Sequence, residues 1–429
     1  MSRLLPDYAP PLDSRAAVPP APVLIILPTP AASTYAAGVV GPHGGDPNIL
    51  GIALARRTVL TARRAGYDRI FMLTPDRTAL PGIPTIADWH QLDAAFAPRE
   101  AAPLVIVPKT ILAEAGWLER LAGIRIEPIA WGASDRIVVL SATAVPEALV
   151  VLDAEGGARD LAAVQDRLTR NFGSPAPLPE GLEPMVVAAP ADIGVAERRL
   201  LRTLVKDTDG FMARHIERPI SLTISRHLAA TAVTPNQMTL VSMVIGLAGA
   251  PGFLSGQIPW QTAGALLFLA HSILDGCDGE LARLKFQESR LGGALDFWSD
   301  NVVHIATFTC MAVGWSWAVG QAWPLWLGAA AVLGNLGSAG LVYWRTMRNK
   351  DDAGPLYTSV STVSTGRLPR LLDALSRRDF IYLIVALALI GKATWVLLLA
   401  SLGAPTYFFL LVFLAVREQT AKTSTPSGA

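Results

Sequence analysis

From Val23 the chain alternates short apolar runs with helical repeats, and from Gln237 it passes into long apolar stretches. Val23–Leu27, Arg69–Leu73, Leu104–Val107, Ile137–Leu140 and Ala148–Leu152 have the length and composition of buried strands. Gly51–Ala65, Ile111–Ala122, Arg159–Arg170 and Val195–Lys206 carry the helical period, the first with its basic residues on the outer face. This alternation predicts an α/β domain with a mostly parallel sheet over residues 23–205. Residues 1–22, rich in Pro and Ala, and the tail 418–429 are expected to lack order.

Between the two regimes, over 206–232, Met212, Ile216, Ile220, Ile224 and Leu228 recur every four residues, with Arg214, Arg218 and Arg226 among them. The pattern is that of an amphipathic helix lying in a membrane surface, with Pro219 placed to kink or divide it. Packing of the same helix onto the soluble domain is the alternative. Six apolar segments then fill residues 233–417: Gln237–Leu254, Trp260–Lys285, Gly292–Ala318, Trp323–Met347, Phe380–Gly391 and Ala393–Val416. Most reach the ~20 residues that cross hydrocarbon. The fifth is short and has to be tilted, extended or buried by its neighbours. The expected fold is a soluble α/β domain followed by an all-α membrane domain of six transmembrane helices.

Composition agrees with this division. Of 429 residues, 51% are hydrophobic and 17% charged, too apolar for an ordinary soluble protein and too charged for a bare membrane bundle. A formal net charge of +1 gives no reason to expect nucleic acid as a partner. Cys277 and Cys310 provide no disulfide framework and read as small packing residues. Val23–Leu27 is too short for a signal-peptide core, so none is expected. The connections near Gly256–Pro259 and Val319–Ala322 lack charge and lie beside Trp260, Trp315, Trp317, Trp323 and Trp326. The connections on the other side hold Arg283, Lys285 and Arg290, then Arg345, Arg348, Lys350, Arg367, Arg370, Arg377 and Arg378. Positive charge marks the cytoplasmic face, so both termini are expected there, in a bacterial-type inner membrane.

Four acids interrupt the apolar pattern. Asp275 and Asp278 are three residues apart near the end of the second segment, and Asp296 and Asp300 are four apart in the third. Each pair falls on one helical face. Acids at the margin of a span are costly and are usually functional. Two facing helices would bring four carboxylates to one point on the cytoplasmic side, suited to one or two divalent ions holding a diphosphate. Oxygen donors favour Mg²⁺, Mn²⁺ or Ca²⁺ over zinc. Gly276 and Gly279 leave room for a ligand at the backbone, and Arg283 adds a charge suited to phosphate. His304 continues the Gly292, Asp296, Asp300 face and reads as a packed polar residue, while Glu280 reads as a residue of the rim. Two other uses of the acids remain: ion pairs with Arg283 and Arg290 that lock the bundle, and a cation or proton pathway. The two halves of the apolar region share no motif, which disfavours a transporter built from inverted repeats.

The string Asp275-x2-Asp278-Gly279-x2-Ala282-Arg283-x8-Gly292-x3-Asp296-x3-Asp300 resembles the signature of the CDP-alcohol phosphotransferases at every fixed position. The resemblance spans roughly residues 205–417 and includes the Thr234-Pro235-Asn236 entry to the first apolar segment. It implies an enzyme that binds a CDP-alcohol, with CDP-diacylglycerol the expected donor, through two ions, Mg²⁺ or Mn²⁺. Asp275, Asp278, Asp296 and Asp300 would be metal ligands, and Asp300 also the base that takes a proton from the acceptor hydroxyl. Asn236, Asp275, Gly279, Ala282 and Arg283 would bind the CDP moiety. Arg290, Arg345 and Arg378 are candidates for binding an acceptor such as inositol phosphate or glycerol phosphate. CMP is the leaving product, the lipid bilayer the environment, and a homodimer is the common assembly in the family resembled.

Gly51–Leu73 faintly resembles the first βα unit of nucleotidyltransferases, and some members of the membrane family carry a cytidylyltransferase domain upstream. The loop after Val23–Leu27 lacks the glycines and the basic residue that cradle a triphosphate. Asp153, following the predicted strand Ala148–Leu152, is the best candidate for an Asp metal motif there. The domain therefore reads as a degenerate nucleotidyltransferase-like fold with a regulatory, assembly or substrate-delivering role. An active cytidylyltransferase that makes the CDP-alcohol is the alternative.

Overall fold

The computed structural model describes residues 21–28, 46–74, 82–95, 102–123, 129–131, 136–154, 158–205 except 178, 180 and 183, 209–348 and 380–423. The chain divides into two compact units, Met1–Arg199 and Leu200–Ala429.

The first unit is built on a sheet of seven strands among the described residues: β1 Val23–Leu27, β2 Arg69–Leu73, β3 Thr85–Ile86, β4 Leu104–Pro108, β5 Ile129–Trp131, β6 Val138–Leu140 and β7 Ala176–Pro177. Their spatial order is β7-β5-β6-β4-β1-β2-β3. β1 pairs in parallel with β2 and β4, β2 with β3, and β7 with β5; only β6 runs antiparallel to its two neighbours. In register, Ile25 sits between Phe71 and Ile106.

All five residues of β1 are fully buried because helices cover both faces. Successive strand side chains point to opposite faces. Val23, Ile25 and Leu27 join Trp89, Leu149 and Leu152 on one side, and Leu24 and Ile26 join Val59, Tyr67, Trp117 and Leu118 on the other. Polar tips inside these cores are satisfied: Tyr67 Oη donates to the Leu118 carbonyl at 2.9 Å and Trp89 Nε1 to that of Ala158 at 2.7 Å. The flanking helices are α1 Leu54–Arg64, α2 Trp89–Ala95, α3 Ala115–Gly123, α4 Val145–Asp153 and α5 Leu161–Phe172, followed by α6 Pro190–Arg202.

Several expectations change here. Ala148–Leu152 is the body of helix α4, not a strand. A five-residue apolar run has no period of its own, and Pro146 in the first turn favours a helix start. Asp153 consequently ends a helix, where its Oδ1 accepts from the His90 backbone N–H at 3.1 Å, and it does not follow a central strand. Arg57 was expected on the outer face of α1 but is buried, donating from Nη2 to the Ile49 carbonyl at 2.9 Å. Burial, and secondarily the charge of Arg64, pull its pKa down to about 10. The loop after β1 lies outside the described residues from 29 to 45.

The second unit is helical: α7 Arg218–Ala229, α8 Pro235–Gly249, α9 Ile258–Lys285, α10 Arg290–Val319, α11 Trp323–Arg348, α12 Phe380–Leu389 and α13 Trp395–Thr423. The tail expected to lack order from residue 418 is helical to Thr423. Among the described residues four helical stretches are long and apolar enough to cross a membrane: Pro235–Leu254, Arg290–Val319, Trp323–Arg345 and Trp395–Arg417. The other two expected spans differ for physical reasons. α9 has 28 residues but carries Asp275, Asp278, Glu280, Arg283 and Lys285 near its C-terminus, and α12 has 10 residues.

Missing side chains let these helices approach backbone to backbone, as in membrane bundles generally. A Cβ at Gly249 would stand 2.9 Å from the Gly264 carbonyl oxygen, and one at Gly314 would fall within contact of the Phe253 and Leu254 backbone. Gly334 lies equally close to the Ala404–Pro405 backbone, joining α11 to α13. The shared core includes Phe253, Phe268, Val303, Met311, Ile384 and Leu397.

Candidate active site

Two helix starts fix the mouth of the site. Thr234 caps α8 with a reciprocal capping box: its Oγ1 accepts from Gln237 N at 3.3 Å, while Gln237 Oε1 accepts from Thr234 N at 2.9 Å. Ser289 caps α10 by accepting from Gly292 N at 2.9 Å. A Cβ at Gly292 would stand 3.0 Å from Asn236 Oδ1, so the absence of a side chain there lets the two helix starts meet. α9 arrives from the other direction and ends at Phe286, a non-glycine residue in the left-handed conformation (φ 58°).

The acids converge one to two turns inside this mouth. Single carboxylate oxygens of Asp275, Asp278 and Asp296 lie within 4.8 Å of one another. A second group, with the same limit, joins Asp275 and Asp300 to a ring nitrogen of His271. Asp275 belongs to both and is buried, as is Asp278, whereas Asp296 and Asp300 are half-buried. Thr239 Oγ1 on α8 donates to Asp278 Oδ2, and Asp278 Oδ1 accepts from the Gly279 backbone N–H. His271 is enclosed on α9, with Nδ1 3.0 Å from the Ser242 carbonyl and Nε2 3.3 Å from Asp300 Oδ1. His271 and Thr239 escape the sequence reading, although His271 stands four residues before Asp275 and so shares its face.

The remaining candidates are distributed around this centre. Arg283 lies beside Gly279, where a Cβ would stand 3.6 Å from its Nη1. Ala282 and Arg345 are half-buried, Arg290 and Asn236 exposed, and Arg378 lies outside the described residues. His304 packs among rings: Phe268 at 5.4 Å, Phe380 at 5.9 Å and Phe308 at 6.2 Å between centroids. Cys277 is buried and Cys310 half-buried, both free thiols.

Glu280 requires a correction. It is fully buried, not a rim residue, and faces α7. Its Oε1 accepts from Arg218 Nη1 and from Ser221 Oγ, each at 2.7 Å, and its Oε2 from Ser225 Oγ at 2.7 Å. Arg218 also pairs with Asp209 through Nε at 2.8 Å and Nη2 at 3.0 Å. Burial pulls the Arg218 pKa down, but Asp209 and Glu280 outweigh it and hold the guanidinium above its ordinary value. The serine face of α7, with Ser221, Ser225 and Ala229, is therefore its packed face, and Ile216 and Ile220 are exposed.

Carboxylate oxygens within 4.8 Å of one another, from the two helices α9 and α10, fit hard divalent cations. The described helices include four that are long and apolar enough to cross a membrane, and two of the helical unit's elements converge on a cluster of acids. Residues 232–389 match the family model described as CDP-alcohol phosphatidyltransferase. Over 165 residues the chain is 39% identical to a protein of Thermococcus kodakarensis named bifunctional IPC transferase and DIPP synthase, a match covering 38% of this chain and 36% of that protein. An archaetidylinositol phosphate synthase of Pyrococcus horikoshii is 35% identical over 92 residues, covering 21% of this chain and 47% of its own length. The chain thus spans between about a third and a half of the length of these relatives. A Mycobacterium tuberculosis phosphatidylinositol phosphate synthase crystallised with CDP-DAG bound is 20% identical, with 45% of this chain and 94% of that chain covered at a TM-score of 0.31, a likeness too low to bear on the site.

Proposed function

We propose that the helical unit is a six-helix membrane enzyme that transfers a substituted phosphate from a CDP-alcohol to an alcohol acceptor, releasing CMP. One observation carries the reading: Asp275 lies in two overlapping sets of potential ligands that together include all four signature acids. Divalent ions bound there, Mg²⁺ or Mn²⁺, would neutralise the diphosphate and favour phosphoryl transfer. Asp275, Asp278 and Asp296 hold that charge in place, and Thr239 and the Gly279 N–H fix the orientation of Asp278. Asn236, Gly279, Ala282 and Arg283 form the wall for the CDP moiety. Asp300 takes the proton from the acceptor hydroxyl as its oxygen attacks the β-phosphorus. The bond from that phosphorus to the bridging oxygen breaks, and CMP leaves.

α9 and α12 complete the six spans, since their neighbours bury what their own composition does not favour. Exposed Trp260, Trp317, Trp323 and Trp326 lie at the helix ends away from the acids and support an active site on the cytoplasmic side of a bacterial inner membrane. The exposed Ile220 of α7, with exposed Ile216 in the helical turn Ala213–Glu217 just before it, supports a surface helix with its apolar face toward lipid.

The names of the relatives favour two refinements. The name archaetidylinositol phosphate synthase favours an inositol phosphate acceptor over glycerol phosphate. The word bifunctional favours a second active centre in the α/β unit, a cytidylyltransferase that makes the CDP-alcohol, over a purely regulatory domain. With that refinement the donor is a CDP-linked polyol rather than CDP-diacylglycerol.

The full chain in membranes, given Mg²⁺ or Mn²⁺, CDP-diacylglycerol or CDP-linked polyols, and a panel of acceptors, is expected to release CMP. Asp275→Asn and Asp278→Asn should abolish it, while Asp300→Asn should spare donor binding. Full turnover in any of the three would overturn the assigned roles. Adding labelled CTP and polyol phosphates tests the first unit: pyrophosphate release supports the bifunctional reading, and its absence returns that unit to a regulatory role.

A further inference from the structure

We infer that His271 is itself a ligand of the second cation, making that position a mixed nitrogen–oxygen site with Asp275 and Asp300. The inference deepens the transfer reading above and rests on its metal centre.

The ring orientation is fixed from behind. The Ser242 carbonyl can only accept, so Nδ1 at 3.0 Å carries the proton. In neutral imidazole the Nε2 lone pair then points at the site. A backbone carbonyl holding the other ring N–H is the usual outer support of a metal-bound histidine. Packing locks the same orientation: a Cβ at Gly246 would stand 3.0 Å from His271 Cγ, and the Phe268 ring lies 6.1 Å away. His271 is 1% exposed, so water does not compete for the nitrogen.

Distance separates the two uses of that nitrogen. A charged N–H···O bond between imidazolium and carboxylate is expected at about 2.7–2.9 Å. Two donors at right angles, each about 2.1 Å from a shared ion, stand about 3.0 Å apart. The observed Nε2 to Asp300 Oδ1 separation is 3.3 Å, and Asp275 offers an oxygen within 4.8 Å of a ring nitrogen of His271 and a carboxylate oxygen of Asp300. The spacing therefore suits a shared ion better than a direct bond. Imidazole shifts preference away from Mg²⁺ toward transition metals, of which Mn²⁺ best tolerates the accompanying carboxylates. The four acids by themselves carry no such preference.

The test is pulsed electron paramagnetic resonance on the full chain loaded with Mn²⁺ alone. ¹⁴N modulation is expected in the wild type, lost in His271→Gln and kept in His304→Gln. Competition binding should show the preference for Mn²⁺ over Mg²⁺ falling about tenfold or more in His271→Gln. If that variant does not fold, wild-type and His304→Gln proteins grown on ¹⁵N-histidine test for a histidine ligand other than His304, with the ¹⁴N signal expected to be replaced by ¹⁵N in both. Retention of ¹⁴N modulation in His271→Gln overturns the inference. Oxygen-only coordination in a wild-type preparation that still releases CMP overturns it too and leaves the transfer reaction standing. Nitrogen-coordinated Mn²⁺ in a preparation that releases no CMP supports the inference and overturns the transfer reading.

Discussion

Helix α9 carries three buried acids within six residues, and its two sides treat them differently. On the side toward α8 and α10, Asp275 and Asp278 enter a cluster with Asp296, Asp300 and His271, and the donors to Asp278 are a threonine hydroxyl and a backbone N–H. On the side toward α7, Glu280 meets a guanidinium and two serine hydroxyls, each at 2.7 Å. A buried charge is tolerated where its field is answered. For Glu280 the protein supplies the answering cation, and for the cluster it supplies a geometry that an external cation fits. The same helix is thus fastened on one side and, under the proposed function, reactive on the other.

Mutations can break this contrast, and the largest effect is expected on the reactive side. Asp275→Asn should lower CMP release by at least about 10³-fold, a loss of about 4 kcal/mol in transition-state stabilisation. Metal-free thermal unfolding of that variant should be unchanged or raised, because one of several crowded like charges is removed. A comparable loss of stability would show that the acids are structural. On the fastened side the effects are reversed in kind. Arg218→Ala leaves Glu280 and Asp209 without their guanidinium and should destabilise the helical unit by about 3–5 kcal/mol, read by chemical unfolding in detergent.

Thr239→Val is expected to weaken divalent-ion affinity by about 10–100-fold, with stability little changed, because it frees the orientation of Asp278. Titration calorimetry with Mn²⁺ measures this directly, and wild-type affinity would remove Thr239 from the site. The smallest change is expected for Ser225→Ala, which takes one hydroxyl from Glu280 at a cost of about 1–3 kcal/mol in stability. Its metal affinity should match the wild type. A shift in metal affinity would mean that the two sides of α9 are coupled.

The legible parts of the sequence are those governed by local periodicity. The spacing of Asp275, Asp278, Asp296 and Asp300 implies two acidic helix faces because a helix repeats every 3.6 residues wherever it is placed. His271 carries the same signal, four residues before Asp275, but a lone histidine gains meaning only once Asp300 and the Ser242 carbonyl are found beside it. Ala148–Leu152 is not legible as a helix because five consecutive apolar residues suit a buried strand and a buried helix equally. Arg57 is not legible as a buried residue because its acceptor, the Ile49 carbonyl, belongs to the two-residue strand Asn48–Ile49, which no composition rule foresees. The burial of Glu280 is hidden for the same kind of reason: its partners lie 55 to 62 residues away in sequence.

The sequence alone established a two-part chain, a buried β1, long apolar helices and four acids aligned in pairs, since each depends on interactions within a few residues. Tertiary structure decided which acids share a cluster, which one is neutralised by Arg218, and that His271 faces Asp300. Those outcomes depend on how separate helices pack, with Gly246, Gly249, Gly292 and Gly314 setting the close approaches, and packing brings together groups that no local period relates.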